Sequence, residues 1–264
     1  MKPMINALLF IFSIYILICI ILYFLQDKLI FFPPEPINNV YNAFSKNEIN
    51  ATLNNEQIHG WNIINPSVKN KTILYFGGNA QDVVYLNEEA KEFNVHQCIA
   101  FNYPGYGKSS GTPSQKSLYE NALAAYDFAI KEYQLNPQDI IVVGRSLGSS
   151  VATYVAANRE IAGLILITPF DSIADIAAAQ YKIFPVKYVL KHPFPTKNYI
   201  AQVKVPTLML AAHEDEIIAD ARLENLKRYS NENHKLIKYT NVGHNTIQED
   251  ENYYLEINKF IESL

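Results

Sequence analysis

The fold of this chain is decided by one stretch, Ile140-Ile141-Val142-Val143-Gly144-Arg145-Ser146-Leu147-Gly148-Ser149-Ser150-Val151-Ala152. A run of β-branched residues leads into a Gly-x-Ser-x-Gly sequence, and a helical pattern follows at once. This order predicts a tight turn between a buried strand and a helix, with the hydroxyl of Ser146 held above the end of a sheet. Gly144 and Gly148 would let the strand and the helix pack without a Cβ clash. Ser146 is therefore a candidate nucleophile, although a serine here could also simply cap the helix.

Strand-like and helix-like segments alternate along most of the remaining chain. The predicted strands are 48–53, 57–64, 72–76, 97–101, 140–143, 163–167, 207–212 and 235–239, and the predicted helices are 82–93, 114–132, 146–156, 171–180, 219–229 and 246–261. The alternation predicts an α/β fold whose sheet is mostly parallel and covered on both faces. Between residues 170 and 205 the alternation lapses and prolines interrupt the chain. We expect a small cap at about 171–204, beyond the carboxyl ends of the strands, where ligands bind in such sheets.

The first residues form a long apolar run, from 4 to 25. It slightly exceeds the roughly 20 residues that a helix needs to cross a bilayer, and no small-residue cleavage site follows it. We therefore predict an uncleaved signal anchor at 1–28, a linker at 29–40 and one catalytic domain at 41–264. Lys2 favours a cytoplasmic N-terminus, which would place the domain on the non-cytoplasmic side of the membrane.

Charge and cysteine content exclude several other classes of protein. The net charge is −4 and Lys and Arg form no cluster, which argues against a nucleic-acid partner. Cys19 and Cys98 lack the spacing of metal ligands, and we predict neither a metal nor a cofactor. The glycine-rich segment 104–111 is not a phosphate-binding loop, because a P-loop would need glycine at Asn102 and a dinucleotide motif would need glycine at Ser110. The oligomeric state stays open.

A serine nucleophile needs an acid and a base later in the chain. The acid should follow a strand downstream of Ser146, and the residues after 207–212 are His213, Glu214, Asp215 and Glu216. Asp215 is favoured because the turn needs a couple of residues before a side chain can reach the base, while both glutamates remain rivals. His213 suggests a metal ligand, but no second ligand lies at metal spacing.

The base is predicted at His244, in a glycine-containing loop between the last strand and the last helix. Of the six histidines, only this one follows both Ser146 and Asp215 in a strand-to-helix loop. Apart from His213, which directly follows a strand but precedes Asp215, the others lie before a strand or too early in the chain: His59, His96, His192 and His234. The order serine, aspartate, histidine is the one expected for a nucleophile on this kind of turn.

The oxyanion that such a nucleophile generates needs two backbone N–H donors. One is predicted at Leu147, directly after the nucleophile, and the other in the loop that follows strand 72–76, Gly77-Gly78-Asn79-Ala80. Within that loop we favour the N–H of Asn79. The alternative is that the paired glycines form only a turn.

Together these motifs resemble the α/β-hydrolase superfamily, in particular its single-pass, membrane-anchored members akin to the serine aminopeptidase and prolyl oligopeptidase branch. The resemblance covers nearly the whole chain, from the anchor through Gly-Gly-Asn-Ala and the segment 102–109 to the loop at His244. It implies Ser146 as nucleophile, Asp215 as acid, His244 as base, and Asn79 with Leu147 as oxyanion donors. Two positions depart from the group, which usually has His at Gly77 and Asp at Asn102.

The sequence therefore predicts a membrane-anchored serine hydrolase that cleaves carboxylic esters or thioesters of an apolar acyl group, such as a small molecule or lipid, without a cofactor. Two alternatives remain open. One is a serine peptidase or aminopeptidase, although the chain has neither a propeller nor a large lid that would select peptides. The other is a catalytically weak scaffold or binding protein, which the replacement at Gly77 suggests.

Overall fold

The computed structural model describes residues 2–68 and 71–264 and contains a sheet of eight strands. Their order across the sheet is β1-β2-β4-β3-β5-β6-β7-β8. The strands are β1 (Glu48–Leu53), β2 (Glu56–Ile64), β3 (Thr72–Phe76), β4 (Gln97–Phe101), β5 (Ile140–Arg145), β6 (Gly163–Ile167), β7 (Thr207–Ala212) and β8 (His234–Tyr239). The hairpin β1–β2 is antiparallel and joins β4 in antiparallel pairing, whereas β3 to β8 are parallel. The predicted α/β fold with a mostly parallel sheet is confirmed.

Ten α-helices accompany the sheet in the described residues. They are α1 (Lys2–Ile30), α2 (Asn38–Ala43), α3 (Leu86–Glu89), α4 (Gln115–Tyr133), α5 (Leu147–Asn158), α6 (Ile173–Gln180), α7 (Val186–Val189), α8 (Thr196–Ile200), α9 (Asp220–Tyr229) and α10 (Tyr253–Glu262). The helices α4, α5, α8 and α9 contribute to an apolar core on one face of the sheet. The helices α3 and α10 contribute to a second core on the other face. Both faces of the sheet are therefore covered, as parallel sheets require.

The segment predicted as one helix at 82–93 consists instead of the four-residue helix α3 with one 3₁₀ turn before it and one after it. The segment buries Val83, Val84 and Leu86 together. In a regular α-helix Val83 and Leu86 would share one face and Val84 would lie about 100° away, whereas the irregular segment places all three in the core on one face of the sheet. The short helix α2 was not predicted.

The region between β6 and β7 contains the helices α6, α7 and α8, where the sequence predicts a cap. Asp171, at the start of this region, is fully buried and accepts hydrogen bonds from Asn225 and Ser172. Arg222 of α9 lies 3.1 Å from the same carboxylate. These contacts fix the start of the region, at Asp171, against α9.

The N-terminal helix α1 has 29 residues and is long and apolar enough to cross a membrane, a property that signal sequences share. Its last turns and the residues after it contact the domain. Phe31 is buried in the core beside α4 and α5, and its ring packs against His192 and Phe194. The chain thus enters the domain at Phe31, within the segment predicted as a linker.

Candidate active site

Ser146 occupies the turn between β5 and α5 in a backbone conformation that few residues other than glycine adopt. Its φ is +50° and its ψ is −116°, a strained combination that persists only where the surrounding structure fixes it. A Cβ on Gly148 would lie 2.1 Å from the carbonyl oxygen of Phe76, and one on Gly144 would lie 2.2 Å from that of Gly148. The two glycines therefore allow the close approach of α5 to β3 and β5 that the sequence predicts.

The structure brings Ser146, His244 and Asp215 together in one hydrogen-bonded chain. The imidazole Nε2 of His244 lies 2.9 Å from Ser146 Oγ, and its Nδ1 lies 2.8 Å and 3.0 Å from the two carboxylate oxygens of Asp215. An ionised carboxylate can only accept, so Nδ1 carries the proton and Nε2 accepts from the serine hydroxyl. His244 is only 3% exposed, so the hydrogen bonds of its imidazole are shielded from water.

Asp215 is held in place by the backbone of the turn after β7. Its Oδ1 accepts hydrogen bonds from the N–H of Ile217 at 2.9 Å and of Ile218 at 2.6 Å. The neighbouring acids point elsewhere, since Glu214 is exposed and Glu216 does not reach the imidazole. Of the three acids considered from the sequence, the structure brings Asp215 to the imidazole.

Glu216 has a different contact, which the sequence did not indicate. Its Oε2 accepts a hydrogen bond from the backbone N–H of His244 at 3.0 Å. This N–H lowers the pKa of the Glu216 carboxyl below its usual value. The carboxylate therefore fixes the loop that carries the histidine, and Gly243 contributes a second contact by donating its N–H to Thr246 Oγ1 at 2.9 Å.

The loop after β3, residues 77–80, lies beside Ser146. A Cβ on Gly78 would be 3.6 Å from the Cβ of Ser146. In the described chain, the backbone N–H of Asn79 and of Leu147 donate to no protein group, as donors to a substrate oxygen would require. Their assignment as oxyanion donors stays a prediction.

The loop is held without the imidazole that the resemblance leads one to expect at Gly77. Gln81 supports the loop, since its Oε1 accepts a hydrogen bond from the N–H of Gly78 at 2.7 Å. Tyr103 donates its hydroxyl to the carbonyl oxygen of Gly77 at 2.8 Å. The expected role of Asn102 is structural, and its side chain indeed donates to Asp82 Oδ1 at 3.0 Å.

Asn79 connects this loop to the end of α1. Its Nδ2 donates to the carbonyl oxygen of Ile30 at 2.7 Å, and its Oδ1 accepts from the N–H of Phe32 at 3.2 Å and from the Tyr106 hydroxyl at 2.7 Å. The side chain of Asn79 thus caps the last turn of α1 while its backbone lies in the loop beside Ser146.

A cavity of about 1050 Å³ opens onto Ser146 and His244. Its walls are largely apolar and include the second half of α1, the helices α6 and α7, the turn after β7 and the loop after β3. Ligand pockets typically measure about 300–1,000 Å³, so this cavity is large for a small ester. Within residues 2–68 and 71–264, no three His, Cys, Asp or Glu side chains are grouped as a metal site would need.

Comparison with known proteins agrees with this fold. A family model described as the alpha/beta hydrolase fold matches residues 71–196. An uncharacterised protein of Mycobacterium tuberculosis is 30% identical over 226 residues, which cover 83% of this chain and 80% of that protein. The chain belongs to the α/β-hydrolase family.

Further relatives of this α/β hydrolase lie in eukaryotes. The alpha/beta hydrolase domain-containing protein 17B of Xenopus laevis is 32% identical over 157 residues, which cover 58% of this chain and 52% of that protein. Among solved structures, an esterase from Pyrococcus furiosus superimposes with a TM-score of 0.67 at 20% identity, and the match covers 88% of this chain and 99% of the esterase. At this identity the likeness establishes a common fold.

Proposed function

We propose that this α/β hydrolase is a membrane-anchored serine hydrolase that cleaves carboxylic ester or thioester bonds of apolar acyl groups. The observation that carries the proposal is the chain of hydrogen bonds from Asp215 through His244 to Ser146, which ends in a large, mostly apolar cavity. Neighbours of the same fold include esterases.

In the proposed reaction, Ser146 Oγ attacks the carbonyl carbon of the substrate while Nε2 of His244 takes the hydroxyl proton. Asp215 keeps Nδ1 protonated and stabilises the positive charge that develops on the imidazole. The N–H groups of Leu147 and Asn79 donate to the oxyanion. His244 then gives its proton to the departing alcohol or thiol, and a water molecule, activated by the same imidazole, releases the acid from Ser146.

The uncleaved state of the anchor is also part of the proposal. Gln26 of α1 is 6% exposed, and its side chain accepts a hydrogen bond from the N–H of Lys191 at 2.7 Å and donates to the carbonyl oxygen of Val189 at 3.3 Å. Asp27 lies 2.8 Å from His192 Nε2. Removal of α1 would leave Val189, Lys191 and His192 without these hydrogen-bond partners. It would also remove one wall of the cavity. The placement of the domain on the non-cytoplasmic side stays a prediction from the charge of the N-terminus.

A fluorophosphonate probe, which reacts with activated serines, tests the serine mechanism. We expect the purified full-length protein to be labelled and the Ser146→Ala variant to remain unlabelled. Turnover of p-nitrophenyl esters of increasing chain length, compared with aminoacyl amides, then tests the substrate class. Absence of Ser146-dependent labelling would overturn the proposal, and faster turnover of the amides would favour a peptidase.

A further inference from the structure

The exposed apolar part of the cap and the anchor helix α1 lie side by side. We call residues 181–189 the cap tip. It comprises residues 181–185, which connect α6 to α7, and the helix α7. Tyr15 of α1 donates its hydroxyl to the carbonyl oxygen of Ile183 at 2.8 Å. Its ring also stacks on Phe184, with 5.9 Å between the ring centroids. The cap tip is therefore fixed to the middle of α1, well away from the end that enters the domain.

The position of Tyr15 within the apolar run sets the depth of this contact. Tyr15 lies ten residues before Leu25, where the apolar run of α1 ends. At 1.5 Å per residue this separation is about 15 Å along the helix. The hydrocarbon core of a bilayer is about 30 Å thick. If α1 crosses a membrane, a protein segment that touches Tyr15 must itself lie inside the bilayer.

The side chains of the cap tip suit such a position. Tyr188 is 92% exposed and Ile183 is 74% exposed, and Tyr181 is also exposed. Large apolar groups that project together from one segment mark a surface that meets a partner or a membrane. Lys187 pairs its ammonium group with Asp175 of α6 at 3.0 Å, so its charge is compensated within the cap. The long side chain of Lys182 can direct its ammonium group away from apolar surroundings.

The cavity extends in the same direction. The residues of α1 that line it include Cys19, Leu22, Gln26 and Ile30, which recur every three or four positions and form one face of the helix. From Ile30, near the loop beside Ser146, to Cys19 the helix rises about 16 Å. Opposite this face stand residues of α6 and of the cap tip. The cavity thus runs from the nucleophile along the anchor, between α1 and the cap.

We propose that the cap tip is embedded beside α1 in the bilayer leaflet nearer the domain, and that the acyl chain of a membrane-resident substrate enters the cavity sideways from that leaflet, between α1 and the cap. This inference rests on the proposed function and specifies its substrate as an amphiphile that stays in the membrane. The scissile bond reaches Ser146 at the end of α1 that enters the domain, while the acyl chain remains at hydrocarbon depth. The occupant of the exposed cap surface is lipid, because that surface is continuous with the lipid-facing length of α1.

Depth-dependent quenching tests the location of the cap tip in the full-length protein, reconstituted into phosphatidylcholine vesicles. An environment-sensitive fluorophore is attached at Ile183→Cys in a Cys19→Ser background, and nitroxide groups are placed on the lipid acyl chains. We expect strong quenching at position 183. The matched control is Leu255→Cys, an exposed apolar position on α10 at the other face of the sheet, where we expect no quenching. Equal quenching at the two positions would overturn the inference.

Turnover tests lateral entry. The double variant Ile183→Asp, Tyr188→Asp makes the cap tip unfit for hydrocarbon and alters only exposed side chains. We expect its turnover of p-nitrophenyl palmitate in vesicles to fall about tenfold or more, because burial of a carboxylate in lipid is costly. Its turnover of water-soluble p-nitrophenyl acetate should match that of the wild type, and Leu255→Asp should change neither rate. Unchanged palmitate turnover, or an equal loss on both esters, would overturn the inference.

The two proposals fail in distinguishable ways. If the wild type shows no Ser146-dependent labelling by a fluorophosphonate, the proposed hydrolase activity is wrong, and the quenching measurement still locates the cap tip. If labelling is normal while position 183 is not quenched, the hydrolase proposal stands and membrane embedding of the cap is wrong.

Discussion

Replacement of Asp215 by Asn is the sharpest test of the proposed chemistry, because it changes the proton distribution while it conserves shape. Oδ1 of Asp215 accepts from the N–H groups of Ile217 and Ile218, so the oxygen of an asparagine should keep these contacts. Its NH₂ group would then occupy the place of Oδ2, which lies 2.8 Å from Nδ1 of His244. An NH₂ group donates, so Nδ1 must accept and the proton of the imidazole moves to Nε2. In that tautomer Nε2 cannot accept the proton of Ser146.

The expected loss is large. A change of tautomer in such a site lowers kcat about 10⁴-fold, which corresponds to about 5.5 kcal/mol of transition-state stabilisation. The assay is the kcat/KM for p-nitrophenyl butyrate, with thermal unfolding as a check that the variant folds.

Glu216→Gln is the matched control, because it also neutralises a carboxylate in the same turn. Its amide oxygen can still accept from the N–H of His244, so we expect a loss of only about threefold, the size of a weakened neutral hydrogen bond. If Asp215→Asn kept more than a tenth of the wild-type kcat/KM, or if Glu216→Gln lost as much activity, the assigned role of Asp215 would be wrong.

Three further changes test other parts of the structure. Gly148→Ala would place a methyl group 2.1 Å from the carbonyl oxygen of Phe76, so the free energy of unfolding in urea should fall by about 3 kcal/mol; an unchanged value would contradict the close packing of α5. Gln26→Leu removes the acceptor of the Lys191 N–H, and limited trypsin digestion followed by mass spectrometry should show faster cleavage in the cap than in the wild type, whereas an identical rate would exclude a role of this contact. Burial raises the pKa of the Glu89 carboxyl, an effect that the nearby Arg145 partly offsets, so the native state binds its proton more tightly than the unfolded chain and loses stability as the pH rises through the pKa of the folded form. Glu89→Gln should therefore raise the melting temperature at about pH 8 and have little effect at about pH 3, where Glu89 is protonated in both states; equal effects at both pH values would contradict this reasoning.

The sequence predicted those parts of the structure that depend on local patterns. A β-branched run before Gly-x-Ser-x-Gly specifies the turn at Ser146, because only glycine tolerates the distances found at Gly144 and Gly148. Chain order then restricted the acid and base to a few positions after later strands, and the structure brings two of them, Asp215 and His244, to the serine.

Contacts between distant parts of the chain could not be predicted in this way. Gln81 follows the loop at Gly77 by only a few residues, yet nothing in its surroundings indicates that its amide oxygen accepts a hydrogen bond from the N–H of Gly78. Glu216 was weighed as a rival acid, whereas it binds the backbone of His244. In both cases the role depends on where a polar side chain points after the loops are packed, and a linear pattern carries little information about that direction.

The difference between the two faces of α1 is the hardest feature to derive from the sequence. A membrane-spanning helix is apolar on every side, so hydrophobicity cannot distinguish the face toward lipid from the face toward the protein. Here the face that includes Cys19, Leu22 and Ile30 forms a wall of the cavity, and the opposite face is exposed. Gln26 supplies a partial sequence signal, since a buried amide needs hydrogen-bond partners within the protein, although the amide of Asn6 in the same helix is exposed. Its bonds to Val189 and Lys191 turn this face of α1 toward the cap, and so make α1 part of the wall of the candidate site.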